Sequence, residues 1–283
     1  MFPSRSCFRK DHGAGLLIPL EREMISMEKL RCEKLFNDQV WKLVLNDPKG
    51  NVVDSIMLKN FAQVFAEAEK DKHCKLLILQ GEGKHFSFGV SVEEHTADKA
   101  AAMLASFNQF FLKLTDLATP VVSLISGQCL GGGLEMAMFA HVIFADESAK
   151  MGQPEIGLGV FAPPASVMLP AKLGQSCADD LLLTGRIISA QEAKEIGLVN
   201  EVYPDKGTME QKLAAWIEEH ILPKSAHSLR VASKVARWQF NKRIREDLEQ
   251  FEAIYTNELI NSHDGNEGIN AFLQKRKPEW KDI

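Results

Sequence analysis

The sequence predicts an α/β protein with parallel strands, followed by a region built from helices. Short apolar runs typical of buried strands alternate with helical patterns between about residues 38 and 145. Glycines follow several of these runs, where turns are expected. From about residue 178 onward, the apolar residues recur at helical spacing. Strands that alternate with helices are joined by crossovers, which makes neighbouring strands parallel.

Four strands are predicted, and each is followed by turn-forming residues or by a helix. The first clear strand covers residues 40–45 and ends in the turn-rich residues 46–51. The second ends at a Gly-Glu-Gly turn, and the third is closed by Gly127. The later three strands cover residues 75–80, 120–125 and 141–145.

Amphipathic helices connect the predicted strands. The first carries apolar residues at helical spacing from Leu58 to Ala68, and the second does so from Met103 to Leu114. A shorter helix over residues 134–140 leads into the fourth strand. Six further helices are predicted in the C-terminal third, over residues 178–183, 190–196, 209–221, 225–245, 246–260 and 265–276.

Composition and charge exclude several classes of protein. The 283 residues are 45% hydrophobic and 25% charged, which fits an ordinary globular domain. A net charge of −5 disfavours general binding to nucleic acid or to an anionic membrane, because both need a basic surface. No apolar run reaches the length of about 18 residues that a membrane-spanning helix needs.

The cysteines and histidines indicate neither a disulfide framework nor a metal site. The five cysteines are widely spaced without a C-x-x-C pair, and the eight histidines include no H-x-x-x-H pair. We therefore expect no bound metal and a reducing, cytoplasmic location.

The chain divides into three predicted parts. Residues 1–26 show no clear strand or helix pattern, so we expect an N-terminal extension outside the fold, disordered or not native. Residues 27–200 carry the alternating strands and helices and form the predicted core. Residues 201–283 form the predicted helical C-terminal region.

The run Gly131-Gly132-Gly133 is the most informative feature for function. It lies where the third strand leads into the short helix, so it exposes backbone N–H groups to a ligand at the positive end of the helix dipole. Glu135 follows on an otherwise apolar helix, and a buried carboxylate is costly unless it is paired or used in chemistry. A tight turn with close helix packing is the alternative interpretation of the glycines.

A second carboxylate and a second loop complete the candidate site. Glu155 follows the next strand, and it could share acid and base chemistry with Glu135 if the two pKa values differ. A solvated loop carboxylate is the alternative for Glu155. Backbone N–H groups of the loop over residues 85–95 could complete an oxyanion hole with the glycine run. A packed loop without a role in binding is the alternative for that segment.

A basic segment from Lys224 to Arg245 holds seven Lys or Arg residues and no acid. Arg230, Lys234 and Arg237 share one face of the predicted helix. A solvated helix face is one interpretation of this pattern. Contact with the phosphates of a ligand or of an RNA backbone is the other.

Three motifs taken together resemble the enoyl-CoA hydratase/isomerase (crotonase) family. They are Phe-Ser-Phe-Gly at residues 86–89, the stretch at 127–137, and Gly-Gln-Pro-Glu-Ile at 152–156. Their order and spacing match the family from about residue 38 to the C-terminus. The resemblance implies an α/β crotonase-like spiral of ββα turns, with a helical C-terminal trimerisation region that gives a homotrimer or homohexamer. It also implies an acyl-CoA substrate and no cofactor, since coenzyme A is part of the substrate.

The same resemblance implies roles for individual residues. The backbone N–H groups of Phe88 and Gly132 correspond to the family's oxyanion hole, and Glu135 and Glu155 correspond to the two glutamates of its hydratases. Because many isomerases, dehalogenases and hydrolases of the family lack one or both glutamates, the pair favours hydration. We expect the substrate to contact the neighbouring residues Ser87, Gly89, Ser91, Gly131, Gly133, Val160 and Phe161.

Two departures from the family pattern indicate the acyl group. Ser91 stands where the family usually has aspartate, and residues 159–166, with Phe161 and two prolines, replace a glycine-rich stretch. The resulting stiffer, more apolar wall suits a flat alicyclic ring. The sequence thus resembles the branch that hydrates a cyclic conjugated dienoyl-CoA in anaerobic benzoyl-CoA breakdown. The alternatives are a straight-chain enoyl-CoA hydratase or isomerase, and a noncatalytic RNA-binding or assembly protein that uses the basic segment.

Overall fold

The strands form two sheets in the computed structural model, which describes residues 24–283. In chain order the strands are β1 (Met24–Ser26), β2 (Leu30–Leu35), β3 (Val40–Leu45), β4 (Leu76–Gly81), β5 (Val121–Ile125), β6 (Gln128–Leu130), β7 (Val142–Asp146), β8 (Lys150–Gly152), β9 (Ile187–Ser189) and β10 (Glu201–Tyr203). Within the described residues, one sheet has the order β1-β2-β3-β4-β5-β7-β10 and the other has the order β6-β8-β9. The pairs from β3 to β10 in the larger sheet are parallel, as predicted for the four apolar strands.

Helices cover both faces of the larger sheet. They are α1 (Ser55–Lys70), α2 (Ala100–Leu117), α3 (Gly132–Met138), α4 (Pro163–Leu173), α5 (Gln175–Thr184), α6 (Ala190–Glu195), α7 (Lys206–His220), α8 (Ala226–Ala236), α9 (Trp238–Ile254) and α10 (His263–Leu273). Two 3₁₀ segments cover Val92–Glu94 and Pro154–Leu158, and a π-helical segment covers Tyr255–Leu259.

Burial on both faces explains why the central strands are apolar at most positions. On β4, Leu77 and Leu79 join the main core cluster, whereas Leu76 and Ile78 join a second cluster that includes side chains of α7. Alternate residues of one strand therefore contribute to two different cores.

The chain winds through repeated ββα turns. In one turn β5 of the larger sheet leads to β6 of the smaller sheet and then to α3, and in the next β7 leads to β8 and then to α4. Because β6 and β8 pair in parallel, successive turns stack on one another. This arrangement confirms the predicted spiral, and it places the start of α3 beside the segment that follows β8.

The N-terminal strands were not predicted. β1 and β2 extend the sheet by antiparallel pairing, and Met24–Ser26 precedes the predicted boundary at residue 27. In β2, the charged side chains of Arg31, Glu33 and Lys34 interrupt the apolar pattern, while Leu30 and Cys32 are buried in the core. Residues 1–23 of the predicted extension lie outside the described residues.

The C-terminal helices break at a different residue from the one predicted. A single helix over residues 225–245 is wrong, because α8 ends at Ala236 and α9 begins at Trp238. Arg237 lies between them with a non-helical backbone. Its guanidinium group is buried against the rings of Phe139 and Phe240, so the chain bends where this side chain turns inward. The assembly role of residues 201–283 stays a prediction.

Candidate active site

The loops that follow β3 and β4 border a cavity of about 540 Å³. Its wall combines the loop at residues 88–95, the start of α3, the 3₁₀ segment Pro154–Leu158 and the start of α4. Tyr255 and the end of α10 line it from the C-terminal region. The cavity thus lies where α/β proteins commonly bind ligands, beyond the carboxyl ends of parallel strands.

The glycine run makes room for two neighbours at this site. A Cβ on Gly131 would lie 2.5 Å from Oε1 of Glu155, and a Cβ on Gly132 would lie 2.4 Å from the side chain of Val90. Gly131 also has a φ of +51°, a conformation that residues with a Cβ rarely adopt. The close approach of the Glu155 carboxylate to the start of α3 therefore depends on the absence of a side chain at residue 131.

Glu135 is held in the cavity wall by the start of α4. The residue is 3% exposed, and its Oε1 accepts a hydrogen bond of 2.7 Å from the Ala165 backbone N–H. Burial raises the pKa of Glu135 well above its usual range, and the nearby negative charge of Glu155 raises it further. Both effects favour the protonated form of this carboxyl group over the ionised form.

Glu155 faces Glu135 from the 3₁₀ segment that follows β8. Burial of its carboxylate raises the pKa of Glu155 to about 7. With its amide nitrogen turned toward the carboxylate, the buried Gln153 side chain donates to both oxygens of Glu155, at 3.2 and 3.0 Å. Two carboxyl groups in such an arrangement can divide the roles of acid and base, because like charges in one site do not ionise together.

The pKa of Glu155 gives a prediction for stability. Between the ordinary value of 4.5 and about 7, the folded protein binds more protons than the unfolded chain, so its stability falls as pH rises through that window. We expect Glu155→Gln to have a higher Tm than the wild type at pH 8 and a Tm close to it at pH 4.5. Thermal unfolding followed by circular dichroism at both values checks this. An identical Tm difference at the two pH values would contradict it.

The predicted oxyanion-hole role of Phe88 is wrong. Its backbone N–H donates to the Gly50 carbonyl oxygen at 3.0 Å, so it is already paired. The N–H of Val90, two residues later, has no acceptor among residues 24–283, and a Cβ on Gly132 would lie 3.3 Å from that nitrogen. Gly132 opens α3 with an N–H that lies beyond the reach of helical hydrogen bonding, and its oxyanion-hole role stays a prediction. The geometry thus brings Val90, rather than Phe88, beside Gly132.

The structure divides the predicted substrate-binding residues into two groups. Those that line the cavity are Gly89, Ser91, Gly131 and Phe161. Those that do not line it are Ser87, Gly133 and Val160.

The residues outside the lining have structural positions instead. The Ser87 hydroxyl donates to the Asn51 carbonyl oxygen at 2.7 Å and accepts from the Gly89 N–H at 3.0 Å. A Cβ on Gly133 would lie 2.7 Å from the Cβ of Ser87, and Val160 is buried in the core. These three residues shape the loops that carry the site.

Sequence reasoning missed four contributors to the site besides Val90. The Ala165 N–H and the Gln153 amide hold the two carboxylates, and Tyr255 and Phe272 line the cavity from the C-terminal region. Gln153 lies in the motif that contains Glu155, so its spacing offered a signal. The other three depend on how distant segments pack, which no local pattern shows.

The basic segment does not form a free cationic face. Arg230 donates to the backbone carbonyl oxygens of Cys74 and Lys72, and Arg237 donates to that of Phe139. Arg245 forms an ion pair with Asp116. Several charged side chains of the basic segment therefore contact other parts of the chain, which disfavours an extended phosphate-binding surface.

Neither a metal-binding cluster nor a membrane-spanning helix occurs among the described residues. Within 24–283, no three or more His, Cys, Asp or Glu side chains cluster in a way that could hold a metal ion. In the same part of the chain, no helix combines the length and apolar character needed to span a bilayer.

Comparisons with known proteins place the chain in a family. A family model described as enoyl-CoA hydratase/isomerase matches residues 36–283. The chain is 44% identical over 240 residues to the cyclohexa-1,5-dienecarbonyl-CoA hydratase of Thauera aromatica. The matched region covers 85% of this chain and 92% of that protein. The chain is 34% identical over 245 residues to a probable enoyl-CoA hydratase of Bacillus subtilis, which covers 84% and 94%.

Solved structures show the same fold. The crystal structure of an enoyl-CoA hydratase from Bacillus halodurans matches with a TM-score of 0.80 at 18% identity, covering 86% of this chain and 100% of that one. These comparisons confirm the predicted fold and resemblance, and they show an enzyme of the hydro-lyase class. The chain belongs to the enoyl-CoA hydratase/isomerase family.

Proposed function

We propose that the protein adds water to cyclohexa-1,5-diene-1-carbonyl-CoA and forms 6-hydroxycyclohex-1-ene-1-carbonyl-CoA, a step of anaerobic benzoyl-CoA degradation. The pair of carboxyl groups on Glu135 and Glu155, both with raised pKa values, at one cavity carries the proposal. The identity to the Thauera aromatica hydratase supports the cyclic substrate. Phe161, Pro163 and Pro164 line the cavity with a rigid, apolar wall that suits a six-membered ring.

The proposed mechanism starts with polarisation of the thioester. The N–H groups of Val90 and Gly132 donate to the carbonyl oxygen and stabilise the negative charge that develops there. Glu135 and Glu155 share one proton and hold the water molecule between them. One carboxylate accepts a proton from the water while the other carboxyl group delivers a proton to carbon. We assign these roles to the pair rather than to either residue, because interacting sites titrate together.

The proposed reaction balances as a 1,4-addition of one water molecule. Its hydroxyl group bonds to the β carbon, a proton bonds to the far end of the diene, and the remaining double bond stays conjugated to the thioester. No electrons leave the substrate, so we propose that the enzyme needs no cofactor and that coenzyme A enters with the acyl group. We also propose a cytoplasmic homotrimer or homohexamer. The exposed apolar side chains of Val231, Val235 and Trp238 support an assembly surface.

Substrate preference tests the proposal directly. We expect kcat/KM for the cyclic dienoyl-CoA to exceed that for crotonyl-CoA by about tenfold or more, because the rigid wall favours the ring over a flexible chain. Purified enzyme assayed with each thioester, with product identified by mass spectrometry, provides the measurement. Faster hydration of crotonyl-CoA would favour the straight-chain alternative, and absence of hydration with both would overturn the assignment.

A further inference from the structure

Tyr255 lines the candidate active site from the C-terminal region. It is the first residue of the π-helical segment Tyr255–Leu259, which directly follows α9. Such segments occur frequently at functional sites. The ring packs against Phe161 with centroids 5.5 Å apart, and the residue lines the cavity although it is 1% exposed. Tyr255 thus belongs to the same wall as the predicted acyl-binding side chain.

The hydroxyl oxygen of Tyr255 is buried and has no hydrogen-bond partner among residues 24–283. Buried polar groups in proteins are almost always paired, since an unpaired one destabilises the fold. A phenylalanine would fill the same space without this cost. The unpaired hydroxyl group is therefore explained if its partner is a molecule that enters the cavity.

The surroundings of Tyr255 define which partner its hydroxyl group can serve. Burial raises the pKa of Tyr255, and negative charge on the pair formed by Glu155 and Glu135 raises it further. The phenol therefore keeps its proton and acts as a hydrogen-bond donor. Tyr255, Glu135 and Glu155 line the same cavity, where the proposed reaction holds water.

We propose that the Tyr255 hydroxyl group donates a hydrogen bond to the oxygen atom of the water that is added, and then to the same oxygen as the hydroxyl group of the product. This inference rests on the proposed hydration reaction. The six-membered ring itself offers no acceptor, and the thioester oxygen is bound by the N–H groups of Val90 and Gly132. The added oxygen is thus the acceptor that the reaction brings to this end of the cavity. Tyr255 keeps its proton throughout and positions the oxygen for attack.

The variant Tyr255→Phe tests the proposal, because it removes the hydroxyl group and retains the ring that packs on Phe161. We expect kcat for the cyclic dienoyl-CoA to fall by about ten- to a hundredfold, with little change in KM. We expect Tm to stay equal or to rise, since an unpaired buried group is lost. Tyr203→Phe is the matched control. Tyr203, the other tyrosine of the chain, packs against Phe144 and is not among the residues that line the cavity, and the control should keep wild-type kcat.

Binding of two thioesters distinguishes contact with the added oxygen from a purely structural role. The wild type should bind 6-hydroxycyclohex-1-ene-1-carbonyl-CoA about five- to tenfold more tightly than cyclohex-1-ene-1-carbonyl-CoA, which lacks the hydroxyl group. In Tyr255→Phe this difference should disappear while the Kd of the second thioester stays unchanged. A difference that persists in the variant, or an unchanged kcat, would overturn the inference. Equal weakening of both thioesters would also overturn it, because that result indicates lost packing.

Different measurements distinguish an error in the proposed substrate from an error in the proposed contact of Tyr255. If the wild type hydrates crotonyl-CoA but not the cyclic dienoyl-CoA, the proposed substrate is wrong. Tyr255→Phe is then compared with the wild type for binding of 3-hydroxybutyryl-CoA and butyryl-CoA. Loss of the preference for the hydroxylated thioester would support the contact, and retention of that preference would refute it.

Discussion

Replacing Glu135 by Gln should lower kcat for hydration by about 10²- to 10⁴-fold, the range expected when a general acid or base is removed. We expect Glu155→Gln to produce a loss of the same order, because in the proposed mechanism one carboxylate accepts the water proton while the other carboxyl group supplies the proton to carbon. The amide introduced by Glu135→Gln retains a carbonyl oxygen that can accept from the Ala165 N–H, so the fold around α4 is preserved. Steady-state hydration of the cyclic dienoyl-CoA by each purified variant gives the measurement.

A carboxylate outside the site controls for the change of charge. Glu147 is exposed on the loop after β7 and does not line the cavity, so Glu147→Gln should keep wild-type kcat. Near-normal hydration by both Glu135→Gln and Glu155→Gln would show that the carboxyl pair does not carry the chemistry. Loss in only one variant would show that the two groups do not act as a pair.

The central architecture could be predicted from the sequence because its signals are local. The strands β3, β4, β5 and β7 are mostly apolar, and α1 and α2 carry apolar side chains at helical spacing. β2 was not predicted, because its charged side chains interrupt the apolar pattern to which the inward-facing Leu30 and Cys32 belong. The break between α8 and α9 was not predicted, because Arg237 is a charged residue and its packing against two aromatic rings is not evident from the sequence.

The candidate site was only partly predictable for a similar reason. Glu135, Glu155 and the glycine run stand out because a carboxylate or three glycines in an apolar setting are unusual in any sequence. The choice between the N–H groups of Phe88 and Val90 depends on Gly50, which lies 38 residues before Phe88 and accepts its hydrogen bond. The position of Tyr255 depends on the packing of the C-terminal region over the cavity. Such pairings arise from tertiary structure and have no signature in the residues themselves.

Replacing Gly131 by Ala should lower kcat by about a hundredfold or more without removing any reacting group, because displacements of about 1 Å at a reacting centre have effects of this size. The new Cβ would lie 2.5 Å from Oε1 of Glu155, closer than non-bonded atoms approach, so the carboxylate must move. Residue 131 also has φ +51° and ψ −129°, a conformation that strains a residue with a Cβ. Relief of the close contact or of the backbone strain would shift Glu155, the start of α3, or both.

The control for this variant is Gly157→Ala, in the 3₁₀ segment that carries Glu155. A Cβ at residue 157 meets no atom within 4 Å, so this variant should keep wild-type kcat and Tm. Hydration kinetics and thermal unfolding of both variants provide the comparison. A folded Gly131→Ala enzyme with wild-type kcat would show that the approach of Glu155 to the start of α3 is not needed for the reaction. A folded variant with low kcat shows instead that a glycine is required at residue 131 because the carboxylate occupies the space of its side chain.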